Sequence, residues 1–151
     1  VTAFAIKNCK SLIPEDIDFQ KEDMEILNKY KNNLTTIRKK IDEQDINFYI
    51  DFIVNSLFEA NKYFNDQEPW KKKNDIIRLN TIVYSTLEIV RKICLLLYPI
   101  IPESSLKALK IFNLNENDII LSSVENNEFL IKGTKINKID ILFRKVEKNN
   151  D

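Results

Sequence analysis

The chain has 151 residues, enough for one domain that buries a core without disulfides or metal. Hydrophobic residues make up 44% and charged residues 30%, which excludes a disordered chain; 23 basic side chains balance 23 acidic ones, which counts against an indiscriminate, uniformly basic nucleic-acid binder. There is no histidine and one glycine, Gly133, so histidine triads, histidine general bases, histidine metal sites and glycine-rich phosphate loops are all excluded.

So few glycines leave few tight turns and favour helices over a many-stranded sandwich. Val1 to Asn8 reads as the last turns of a helix, with Val1, Phe4 and Ala5 on one face. It is short and begins at valine, so the chain reads as a fragment of something longer. Asn8 or Ser11 falls in the cap region and Pro14 stops any continuation. A second helix spans about Lys21 to Glu43, with Leu27, Tyr30, Leu34, Ile37 and Ile41 at alternating spacings of three and four. A third covers about Asp45 to Gln67, with Asp45 as N-cap and the stripe Ile46, Ile50, Ile53, Leu57, Ala60 and Phe64.

Glu68-Pro69-Trp70 reads as a corner. Proline loses a hydrogen bond inside a helix but suits its first position, so a fourth helix is predicted from about Trp70 to Tyr98. Its stripe is Ile76, Asn80, Val83, Leu87, Val90, Cys94 and Leu97, widened by Leu79, Ile82, Ile89, Ile93 and Leu96, so it is the central helix, wetted on its narrowest side only. Pro102 opens a fifth helix, from Glu103 to Phe112. Beyond a loop at Asn113–Asn117 the period changes, and Phe129–Ile136 and Ile139–Phe143 have strand-like composition. The expected fold is all-α: an antiparallel helix bundle over about 1–112, with a short extended tail over about 116–151 lying back on it.

Cys9 and Cys94 are far apart and form no C-x-x-C pair, so two reduced, inert thiols and no structural zinc are expected, in a cytoplasmic setting. No apolar run reaches membrane-spanning length. The carboxylates occupy solvated helix starts and i,i+4 positions, which argues against paired-carboxylate catalysis.

Trp70, the only tryptophan, is followed by Lys71, Lys72 and Lys73. A lone tryptophan at a corner is commonly a packing residue, and the lysines then form a solvated turn. An aromatic face beside cations is also what a single-stranded nucleic acid uses, bases stacking on the ring and lysines tracking phosphates. On this reading the ring stands at the positive dipole end of the fourth helix.

The string ANKYFNDQEPWK at 60–71 resembles a segment of the anticodon-binding domain of methionyl-tRNA synthetases. Val1 to Pro14 is similar to the end of that domain's first helix. Leu97-Tyr98-Pro99-Ile100-Ile101-Pro102 is similar to the end of the helix after the tryptophan, and Gly133–Glu147 to the family's closing segment. The resemblance covers almost the whole chain. It departs at Ser11, where the family often has glycine, and at Arg144, where proline is usual.

The resemblance implies an anticodon-recognition role within an ATP-dependent ligase that joins methionine to its tRNA, with Trp70 stacking on anticodon bases and Lys7, Lys71, Lys72 and Lys73 on the backbone. It implies the tRNA anticodon loop and a catalytic domain of the same polypeptide as partners. No cofactor is expected in this chain; ATP is implied, and zinc allowed, for the catalytic domain. The chain alone is expected to be inactive. The family's Asn-x-x-x-Arg pair, which reads base edges, aligns before Val1, so weak and poorly selective RNA binding is expected. Asn61 is read as hydrogen-bonding to neighbouring structure, and Tyr63 as core. Two alternatives remain open at this point: a helical protein-interaction scaffold with Trp70 in its core, and the anticodon domain of another class I synthetase.

Overall fold

The computed structural model describes residues 1–138. Five helices run in order: α1 Thr2–Asn8, α2 Lys21–Asp42, α3 Ile46–Gln67, α4 Ile76–Leu97 and α5 Pro102–Leu109. Each long helix starts where a carboxylate satisfies an orphan amide. The Gln20 N–H donates to Asp23 Oδ2 at 2.8 Å, and the Phe48 N–H to Asp45 Oδ1 at 3.0 Å. The Arg78 N–H donates to Asp75 Oδ1, also at 3.0 Å. α5 starts on Pro102, whose missing N–H costs nothing there. α2, α3 and α4 pack on one another in all three pairings, and α5 packs on α4.

α4 is the centre. From Arg78 to Leu96 only Asn80 and Val90 are not buried. One side of it meets Leu27, Tyr30, Ile37, Phe52 and Ile53 of α2 and α3 in the larger core cluster. The other meets Ala5, Ile13, Leu130 and Ile136, so the two ends of the described chain share the second cluster.

Three expectations are corrected. α3 turns a different face inward: Tyr49, Phe52, Ile53, Ser56, Ala60 and Tyr63 are buried. Ile46, Ile50, Val54, Leu57 and Phe58 form an exposed apolar stripe, with Phe58 69% exposed. The helix is apolar on much of its circumference, and the tyrosines decide the rotation because their hydroxyls find buried partners. Tyr49 donates to the Leu96 carbonyl and Tyr63 to Asp23 Oδ1, so Tyr63 is core as expected. The fourth helix does not start at Trp70. Asp75 is its cap, and Trp70 stands apart on a 3₁₀ turn, Pro69–Lys71. Finally, 129–136 is not a strand; its β-type pairing among the described residues is limited to an isolated antiparallel bridge, Leu12 to Lys135. Ile139–Phe143 lies outside the described residues.

The segment 121–130 is held instead by charged side chains that α4 buries. Arg91 Nε donates to Glu88 Oε2 at 2.7 Å, and its Nη2 donates to the carbonyls of Ser123 and Asn126, each at 3.0 Å. The Leu130 N–H donates to Glu88 Oε1 at 2.6 Å. Gly133, the single glycine, sits where it is needed: φ is +76°, and a Cβ there would meet Glu15 Oε1 at 2.2 Å.

Lys92 is fully buried beside this pair. Its Nζ donates to the Leu27 carbonyl at 3.2 Å and to Asn127 Oδ1, and faces the Tyr30 ring at 5.5 Å. Burial first, then the neighbouring Arg91 charge, push its ammonium down to about 7 against the pull of Glu88. An unfolded lysine keeps its proton to about pH 10.4, so above about pH 7 the unfolded chain binds more protons and stability rises with pH. Urea titrations between about pH 7 and 8.5 should show a gain approaching 1.4 kcal/mol per unit from this group. Lys92→Met should flatten that slope, and an unchanged slope would refute the assignment. Well above this window the sign reverses, since burial raises the Cys9 thiol to about 11 and the Tyr49 hydroxyl to about 12, and unfolding is then favoured by their ionisation.

Candidate nucleic-acid interface

Trp70 is presented by the turn that follows α3. Glu68 adopts a left-handed conformation, φ 47° and ψ 56°, which ends α3 and reverses the chain into Pro69. Pro69 is buried and anchors the turn, whereas Trp70 is 42% exposed. Its ring packs on Phe64 in the last turn of α3, centroids 6.2 Å apart at 60°. Phe64 in turn meets Phe4 of α1, centroids 5.6 Å apart at 84°. Beneath the turn, Arg78 Nη2 donates to Gln67 Oε1 at 2.6 Å, tying the end of α3 to the first turn of α4.

The expected cations are placed unequally. Lys71 Nζ pairs with Glu68 Oε1 at 2.7 Å, so its charge is partly spent inside the turn. Lys73 is exposed and Lys72 half-buried. Lys7 is exposed in the last turn of α1, one turn beyond Phe4, so the aromatic contact brings the helix that carries Lys7 to the tryptophan. Among the described residues Lys7, Lys72 and Lys73 form no ion pair with a carboxylate. The dipole expected under Trp70 is corrected: the ring precedes Asp75, the cap of α4, and its own 3₁₀ turn has three residues. Asn61 is also corrected. It is exposed at the rim of a groove of about 230 Å³ between α3 and α4, and among the described residues its side chain makes no hydrogen bond.

Ser11 is informative where it departs from glycine. Lys10 and Ser11 both have positive φ, 53° and 60°, a strained path for side-chain-bearing residues. The Ser11 hydroxyl donates to the Ile6 carbonyl at 3.3 Å, a local bond within this turn. Phe4 and Phe64 were not anticipated as part of the site. Their only sequence signal is that Phe64 lies six residues before the tryptophan, and Phe4 is invisible without the fold.

A family model described as the anticodon binding domain of methionyl tRNA ligase matches residues 13–151. The chain belongs to this family. The methionine–tRNA ligase of Brucella suis biovar 1 is 37% identical over 106 residues, 70% of this chain and 21% of that protein. That of Mycobacterium leprae is 33% identical over 123 residues, 78% of this chain and 23% of that protein. The crystal structure of the free state of Mycobacterium tuberculosis methionyl-tRNA synthetase matches with a TM-score of 0.86 at 28% identity, covering 97% of this chain and 30% of that one. The chain therefore spans about a fifth to a third of the length of these relatives. Among the alternatives, a different class I synthetase and an unrelated scaffold both give way to an anticodon-binding domain of the methionyl-tRNA ligase family.

Two further facts bound its chemistry. Among the described residues no group of three or more histidine, cysteine, aspartate or glutamate side chains could hold a metal ion. No helix among them is long and apolar enough to cross a membrane.

Proposed function

We propose that this anticodon-binding domain recognises the anticodon loop of a tRNA as the reading part of a methionine–tRNA ligase, the enzyme that joins methionine to its tRNA at the expense of ATP. The observation that carries the reading is the exposure of Trp70: the residue is 42% exposed at a corner followed by Lys72 and Lys73, which among the described residues pair with no carboxylate. A tryptophan serving only as core would be shielded. Anticodon bases splay out of a loop, and the ring offers them a stacking platform, while Lys7, Lys72 and Lys73 neutralise backbone phosphates and Lys71 holds the turn as well. Binding by this chain is weak and poorly selective, because stacking is blind to sequence and base discrimination needs hydrogen bonds to base edges.

The ligase chemistry lies with a catalytic domain of the same polypeptide. This chain's donor set fits neither ATP nor zinc, since it has no histidine, no glycine-rich loop and two separated cysteines, Cys9 and Cys94. We place the protein in the cytoplasm, where such thiols stay reduced.

A titration with a fluorescein-labelled anticodon stem-loop RNA carrying CAU, read by the anisotropy of the label in every variant and by quenching of Trp70 in the wild type, tests the reading. Trp70→Ala should weaken binding about 5- to 150-fold, the range set by one stacked base. Affinity should fall with salt, and less steeply once Lys72 and Lys73 are neutralised. Wild-type affinity in Trp70→Ala would refute the stacking role.

A further inference from the structure

Trp70 rests on a turn with little restraint of its own. The Lys71 N–H bonds to the Glu68 carbonyl at 2.9 Å and the Lys72 N–H to the Pro69 carbonyl at 3.1 Å, which fixes the backbone but not the torsions of the Trp70 side chain. The aromatic ring that meets it is Phe64, inclined by 60° with centroids 6.2 Å apart, while the turn itself packs on α4. Phe64 is itself held nearly perpendicular by Phe4 at 5.6 Å. Both are edge-to-face arrangements of the kind aromatic quadrupoles favour. Phe64 lies outside the fully buried stripe of α3 and is half-buried: one side packs against the core cluster, and the ring also meets Phe4 and Trp70.

We propose that Phe64, braced by Phe4, is the positioning residue that orients the Trp70 ring for base stacking. The inference rests on the anticodon-reading proposal. A platform that is already oriented loses little freedom when a base arrives, whereas a swinging ring must be immobilised at the cost of affinity. The three rings come from α1, α3 and the turn, so the brace also ties the helix carrying Lys7 to the stacking face.

The test uses the whole chain and its single tryptophan. Time-resolved anisotropy of Trp70 is measured in the free protein, and affinity is measured for the CAU stem-loop RNA, with circular dichroism and melting confirming the fold. Phe64→Leu should add a fast component to the ring's motion and weaken RNA binding about fivefold, and Phe64→Tyr should restore both. Phe4→Leu should move both readouts the same way by less. A folded Phe64→Leu protein with wild-type ring motion overturns the proposal, and so does a loosened ring with undiminished RNA affinity where Trp70→Ala loses it. Should Phe64→Leu fail to fold, Phe4→Leu decides by the same readouts. If Trp70→Ala leaves RNA affinity intact, the stacking reading fails instead, and the anisotropy alone still decides whether Phe64 orients the ring.

Discussion

Asp23→Ala should lower the free energy of unfolding by about 3–5 kcal/mol, the loss typical of a buried ion pair left with one charge. Asp23 is fully buried on α2, and Arg78 of α4 reaches it with Nη1 at 2.6 Å and Nη2 at 3.1 Å. The Tyr63 hydroxyl of α3 donates to the same carboxylate, and the Gln20 N–H is capped by it. One carboxylate therefore joins all three long helices and starts one of them. Removing it strands the Arg78 guanidinium in a site that is 6% exposed. Lys62 and Asp66 form a control pair with side chains 76% and 57% exposed, and Asp66→Ala should cost under about 1 kcal/mol. Urea denaturation of both variants decides the matter; equal losses would mean that the buried pair is not what joins the bundle. A double replacement, Asp23→Leu with Arg78→Met, should recover most of the loss, because hydrophobic groups of similar size often replace buried pairs without penalty.

Glu88→Ala should be of comparable size, about 3–5 kcal/mol, with a different local signature. It leaves the fully buried Arg91 without its carboxylate and the Leu130 N–H without its acceptor. Tyr84 keeps its bond to the Leu130 carbonyl at 2.9 Å, so the segment is loosened rather than released. Hydrogen exchange should show lost protection concentrated at 121–130 and at Leu130 above all. Glu88→Gln, which keeps an acceptor without the charge, should lose less. Protection at Leu130 equal to that of the wild type in a folded Glu88→Ala protein would refute the anchoring role.

Much of the bundle was legible because its signals are local. α2 and α3 start and stop within a residue or two of the expected bounds, since Asp45 caps through Phe48 and periodicity covers the rest. The corner at Trp70 was half legible. Pro69 advertises a helix start and Asp75 advertises another six residues on, and only the geometry of Glu68 and Arg78 shows that the second is the helix and the first a short turn. The inward face of α3 was misread because its apolar residues fit two stripes, and the choice depends on Asp23 and Leu96, partners on other helices. The same holds for the candidate interface. Trp70 and its lysines announce themselves as neighbours in sequence, whereas the Phe4 contact spans the distance from α1 to α3 and has no local trace.

The chain also ties its early and late parts together, and this sets an order of events. The Ile13 N–H bonds to the Thr134 carbonyl, the Gly133 N–H to the Ile13 carbonyl and the Ile136 N–H to the Ser11 carbonyl, each at 2.8 Å. Closing a loop of about 120 residues costs roughly 4 kcal/mol in chain entropy, so this clasp is a late step in folding. On the ribosome it is later still. At about 5–20 residues per second, the roughly 65 residues between Trp70 and Ile136 take several seconds to emerge. Through that interval the helices around Trp70 can already pack, while the turn after α1, and with it Phe4 and Lys7, lacks its final anchor. Vectorial synthesis thus lets the Trp70 corner form first and anchors the turn after α1 last.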